Sequence, residues 1–132
     1  MGGKKKNLEK RIFIICPVRN ADDEEKSFLE NYVKKLEEKG YKVHYPPRDT
    51  NQEDPNGYYI CLQNREAIVN ADEVHIYWNG KSSGSKFDFG MVFMVNYFTK
   101  KPIVIINKED VKKTPYKSFE NVLLTLEEKL RD

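Results

Sequence analysis

Arg11-Ile12-Phe13-Ile14-Ile15-Cys16 runs without alternation of polar and apolar residues until Pro17 stops it. A strand of this kind has no face for water and must be covered on both sides, as inside a parallel sheet. Pro102-Ile103-Val104-Ile105-Ile106-Asn107 reads the same way, as a second buried strand. Between the two runs the periodicity changes repeatedly. Residues 23–39 carry Phe28, Leu29, Tyr32, Val33 and Leu36 at helical spacing, with acidic residues early, lysines late and Gly40 as the stop. Tyr41-Lys42-Val43-His44-Tyr45 alternates as a short marginal strand and ends at Pro46-Pro47, after which a polar loop is expected over 48–56. Helical spacing returns over 57–71 and leads into the strand Val74-His75-Ile76-Tyr77-Trp78. Residues 116–130 form a closing helix with Phe119, Val122, Leu123, Leu126 and Leu130 inward.

Strands alternating with helices imply right-handed crossovers and a parallel sheet. The expected fold is therefore α/β, a three-layer doubly wound sheet of the Rossmann or flavodoxin type. It would have four to five strands in the order 2-1-3-4, any fifth lying near Val111. Its switch point falls between the first and third strands, so Cys16, Pro17, Arg19 and Asn20 would share a crevice with Asn79 and the segment after it.

With 132 residues the chain is one domain, expected over 11–132, and the second wall of any site would come from another subunit. The start, Met1-Gly2-Gly3-Lys4-Lys5-Lys6, meets no apolar run before Ile12, so residues 1–10 are expected to be a disordered basic tail. It has neither the pattern of a signal peptide nor that of a membrane span. A formal net charge of +2 lacks the strongly basic signature of a nucleic-acid binder. Cys16 and Cys61 form no CxxC or metal-ligand spacing, which suits a reducing cytoplasm and gives no metal site. Met91, Val92, Phe93, Met94, Val95, Tyr97 and Phe98 leave one helix hardly any polar face, so it is expected to be buried nearly all round, partly in a homodimer.

That helix opens with Ser83-Gly84-Ser85-Lys86-Phe87-Asp88-Phe89-Gly90, directly after the third strand. Small residues let backbone approach a ligand, and the amides of a helix start hold phosphate or hydroxyl oxygens. Asp88 would then stand on the first turn, facing the crevice. Ser85-Lys86-Phe87-Asp88 also fits a serine N-cap with an acidic residue three positions on, so local spacing leaves two roles open, cap and ligand-facing carboxylate.

Other chemistries lack their residues. A phosphatase-like loop at Cys16 needs an arginine six positions on, where Asp22 stands. There is no GxGxxG after the first strand and no GxxxxGK[ST] anywhere. His44 and His75 fall within strands, where a core or surface role is expected. Asp22, Asp23, Glu24 and Glu25 suit the start of a helix through its dipole alone.

The chain resembles the nucleoside 2-deoxyribosyltransferase-like family, including its nucleotide N-glycosidase members, over most of its length. The likeness rests on the apolar first strand with its Pro-containing loop, on Asn64-Arg65-Glu66-Ala67-Ile68-Val69-Asn70-Ala71-Asp72 before a strand, and on Gly84-Ser85-Lys86-Phe87-Asp88-Phe89-Gly90. The last is similar to the family's Gly-Thr-x-x-Glu-x-Gly signature, whose glutamate attacks the anomeric carbon in a double displacement. The resemblance implies that Asp88 is the nucleophile and that Asn64, standing where many members carry an aspartate, orients the sugar or base. It also implies that Gly84 and Ser85 bind a sugar hydroxyl or 5'-phosphate, with Arg19 and Asn79 as further contacts. Phe13 stands where the family often presents a tyrosine. The implied activity is hydrolysis or transfer at a nucleoside or nucleotide N-glycosyl bond, without cofactor. The alternatives are a noncatalytic nucleotide-binding or sensing module and, more distantly, a small interaction protein.

Overall fold

The computed structural model describes residues 9–131. Four parallel strands, β1 (Arg11–Ile15), β2 (Lys42–His44), β3 (Glu73–Ile76) and β4 (Ile103–Ile105), lie in the order β2-β1-β3-β4. β1 pairs with β2 and β3, and β3 with β4, in registers such as Phe13 against His44, Ile14 against His75 and Ile76 against Ile105. The helices are α1 (Asp23–Glu38), the one-turn α2 (Pro46–Asp49), α3 (Tyr58–Asn70), α4 (Ser83–Phe98) and α5 (Phe119–Lys129).

Successive residues of a strand point to opposite faces, and here each face has its own core. Ile12, Ile14 and Cys16 pack with Leu29, Val33 and Leu36 of α1. Phe13, Ile15, Val74, Ile76, Ile103 and Ile105 pack with Ile68 of α3, Phe89 and Val92 of α4, and Leu123 of α5. Ile12, Phe13, Ile14 and Ile15 are all essentially inaccessible, which is why the first strand shows no alternation. Each such side chain contributes about 1.5–3 kcal/mol by leaving water.

Several expectations change. The strand β4 is covered on one face only, for Val104 is exposed between buried Ile103 and Ile105 at the sheet's edge. Among the described residues no fifth strand forms: after β4 the chain makes a 3-10 turn, Lys108–Asp110, and Val111 drops into the core instead. Asn107 ends the pairing there, its amide accepting from Trp78 N (3.0 Å) and donating to Trp78 O (2.7 Å). The loop expected from residue 48 begins later. Pro46 starts the one-turn α2, whose Asp49 accepts from the Tyr45 amide, while Arg48 is held by Glu37 and Asp49. The acidic cluster at 22–25 is a capping box, Asp22 and Glu25 each accepting from the other's amide.

The helix α4 departs from its expectation in two ways. Its cap is Ser82, whose Oγ accepts from Ser85 N at 3.1 Å, so Asp88 stands on the second turn and takes no part in capping. Only one side of it is covered within the chain. Phe87, Phe93, Met94, Tyr97 and Phe98 are exposed, the last two by 83% and 76%, so burial all round would require a partner.

Candidate functional site

The fold brings three segments to the carboxyl rim of the sheet at the switch point between β1 and β3. They are the loop after β1, the start of α4 and the segment before α3, where Gly57 enters the helix at φ 91°, a left-handed conformation that suits glycine. Together they enclose a cavity of about 450 Å³, walled by Arg19, Asn20, Gln52, Asp54, Cys61 and Gly84 among others. Asn20 Nδ2 donates to Lys81 O at 3.4 Å, tying the loop after β1 to the one before α4.

Of the residues nominated by sequence, the structure joins the two nominated as catalytic. Asn64 of α3 and Asp88 of α4 face one another inside the protein, 7% and 8% exposed, with Asn64 Nδ2 donating to Asp88 Oδ2 at 3.4 Å. Asp88 follows Gly84 by one helical turn and shares its face of α4, but it is buried and does not itself line the cavity. Burial raises the Asp88 carboxyl to about 7, against a smaller lowering by the bond from Asn64. Burial likewise pushes the Cys16 thiol up to about 12, with a further rise from the charge of Asp88. The Cys61 thiol is raised as well, by burial and then by the charges of Asp88 and Asp54. Cys16 is therefore not a thiolate near neutral pH.

The remaining nominees divide. Arg19, Asn20 and Gly84 line the cavity, while Pro17 is buried at the end of β1. The amides of Ser83 and Gly84 precede the first intrahelical bond, Lys86 N to Ser82 O, and are available at the positive end of the helix dipole. Ser85 is different: its amide is spent on Ser82 and its hydroxyl is the one buried side-chain polar atom without a partner among the described residues. Asn79 lies elsewhere, in a hollow of about 230 Å³ with Tyr77, Trp78 and Asn107, its Oδ1 accepting from Lys81 N at 2.8 Å. Asp72 is at the opposite rim, bound to the Arg11 amide. Among the described residues no group of three or more His, Cys, Asp or Glu is placed to hold a metal ion.

Two residues near the site have no local sequence signal. Thr50 is buried and donates from Oγ1 to Asn64 Oδ1 at 2.7 Å. His44 Nε2 lies 2.7 Å from the same hydroxyl, and its ring stacks on Phe13 with centroids 5.4 Å apart. His75 is occupied apart from the site, between the Tyr32 hydroxyl (2.6 Å) and Glu73 (2.9 Å).

No protein-family model matches the chain, and no curated protein sequence matches it either. Solved structures do. The Clostridium botulinum CMP N-glycosidase BcmB superposes with a TM-score of 0.52 at 24% identity, over 71% of this chain and 68% of that one. A 2-deoxyribosyltransferase from the psychrotolerant bacterium Bacillus psychrosaccharolyticus superposes with a TM-score of 0.57 at 18% identity, over 88% of this chain and 95% of that one. The chain thus has the same α/β fold as a CMP N-glycosidase and a 2-deoxyribosyltransferase.

Proposed function

We propose that the protein cleaves the N-glycosyl bond of a nucleoside or nucleoside 5'-monophosphate, as a hydrolase or a deoxyribosyltransferase, with Asp88 as the nucleophile. The observation that carries this reading is the buried Asp88–Asn64 pair beside a rim cavity at the switch point. Two proteins with this fold are by name a CMP N-glycosidase and a 2-deoxyribosyltransferase, which supports the substrate class.

In the proposed reaction one Asp88 carboxylate oxygen attacks the anomeric carbon as the bond to the base breaks, giving a glycosyl ester and the free base. Water, or the nitrogen of a second base, then displaces Asp88 from the opposite side and restores the carboxylate, so configuration is retained. Asn64 orients the sugar or base, because a neutral amide donates hydrogen bonds but no proton, and the departing base is protonated by water. Arg19 with the free amides of Ser83 and Gly84 takes the 5'-phosphate or a sugar hydroxyl. No metal or organic cofactor enters this scheme, and the cytoplasm would supply the substrate.

Attack requires the ionised carboxylate, so base release should rise with pH as Asp88 loses its proton near pH 7. A second reading, a noncatalytic nucleotide-binding module, is favoured by the burial and short side chain of Asp88, since aspartate is one methylene shorter than glutamate and a misplacement of about 1 Å costs about a hundredfold. Incubation with each deoxynucleoside and its 5'-monophosphate separates the two. Free base that disappears in Asp88→Ala supports the enzyme, and saturable binding without release supports the module.

We also propose a homodimer through the exposed face of α4. Tyr58, Leu62 and Arg65 of α3 adjoin Phe87 and Met91 around an apolar hollow of about 390 Å³. That hollow shares Asn56, Gly57 and Cys61 with the site cavity, so a second copy seated there would extend the wall of the site.

A further inference from the structure

The hydrogen bonds around Asp88 form a chain that runs through Asn64 and Thr50 to His44. Asn64 Nδ2 donates to Asp88 Oδ2 (3.4 Å), which leaves Asn64 Oδ1 as an acceptor. Thr50 Oγ1 spends its single proton on that oxygen (2.7 Å). His44 Nε2, 2.7 Å from the same hydroxyl, must then carry a proton and donate it. From His44 to Asp88 every donor points toward the carboxylate. The opposite direction needs a proton on Asp88, a turned Asn64 amide and an unprotonated Nε2 on His44. The chain therefore has two self-consistent directions, and only the one in which Asn64 donates is open to the ionised carboxylate.

The local structure keeps these groups in register. Asn51, next to Thr50, donates its amide to Gln63 Oε1 (2.9 Å) and accepts from Gln63 Nε2 (3.2 Å), which staples the loop onto α3 beside Asn64. His44 is fixed by its stack on the inaccessible Phe13. It also lines a separate cavity of about 440 Å³ between β2 and α3, away from Asp88. The ionisable groups bearing on His44 are Asp49 and Arg48, while the charge of Asp88 bears on Cys16 and Cys61. None of these four donates to the Asp88 carboxylate.

We propose that Thr50 and His44 are positioning residues for Asp88, acting through Asn64: they set the amide nitrogen of Asn64 toward Asp88 Oδ2 and hold the chain in the direction that favours the ionised carboxylate. One oxygen of Asp88 is thereby pinned and the other left for a ligand. The proposal rests on Asp88 as the working group of the site.

The test follows the Asp88 carboxyl carbon by NMR titration in the full chain, alongside pH profiles of base release. Thr50→Val keeps the shape and removes the hydroxyl, Thr50→Ser restores it, and His44→Phe keeps the stack but removes the donor. Thermal unfolding confirms that each variant is folded. In Thr50→Val and His44→Phe the Asp88 midpoint should rise by about one pH unit, a roughly fivefold loss of carboxylate at neutrality, and Thr50→Ser should return it. The acid limb of the kcat profile should move with it, while KM changes little. Midpoints unchanged in both Thr50→Val and His44→Phe overturn the proposal. Shifted midpoints in a protein that releases no base from any nucleoside or nucleotide support the coupling and overturn the glycosyl-bond reading instead.

Discussion

Replacing Asp88 by asparagine should change how stability depends on pH. Asp88 is 8% exposed, and burial raises its carboxyl from 3.8 to about 7. Below the ordinary value both the folded and the unfolded chain hold the proton, and Asp88 exerts no penalty. Between the two values the folded chain retains a proton that the unfolded chain has released, so stability falls as pH rises. Above about pH 8 the penalty is constant. Each pH unit of difference is worth about 1.4 kcal/mol, so the interval corresponds to about 4 kcal/mol. The substituted amide does not titrate, and its imperfect bonding adds an offset independent of pH. Urea unfolding of the parent and of Asp88→Asn at matched pH from 4 to 9 isolates the effect, because the other titrating groups cancel in the difference. The parent should lose about 3 kcal/mol relative to the variant between pH 4 and 7, then level off to run parallel to it above about pH 8. A difference independent of pH would refute this account of the site, since it would mean that Asp88 ionises like an exposed aspartate.

Asn107→Ala should destabilise by about 2–3 kcal/mol in urea unfolding, because it strands the buried amide and carbonyl of Trp78 that the side chain now satisfies. Phe98→Glu places a charge on the exposed apolar face of α4; if the dimer forms there, light scattering should show the variant at 15.6 kDa and the parent at twice that mass, with little change in the fold. Base release should fall by about fivefold from pH 7 to 6 and by about tenfold for each pH unit below that, following the protonation of Asp88.

The parallel sheet was legible because its cause is local. The unalternating run over Ile12, Phe13, Ile14 and Ile15 states that both faces are covered, and the intervening helical spacings state what covers them. Val104 was misjudged because an edge strand can carry the same residues as a central one. The cap of α4 was misjudged because Ser82, Ser83 and Ser85 are equivalent by propensity, and only the backbone turn selects Ser82. Asp88 and Asn64 were each nominated, yet their contact joins residues 24 apart in the chain, and Thr50 and His44 have no motif. Those links exist only because β1 and β2 pair in register and α3 crosses above them, which local spacing does not encode.

The central claim is that Asp88 attacks the sugar. Its most direct measurement is intact-protein mass after rapid acid quench of the chain with each deoxynucleoside and 5'-monophosphate, followed by peptide mapping. The account predicts an added mass equal to the sugar or sugar phosphate, carried on Asp88, absent from Asp88→Ala, and accompanied by free base. Free base released equally by the parent and by Asp88→Ala, with no adduct on the peptide containing Asp88, would contradict it.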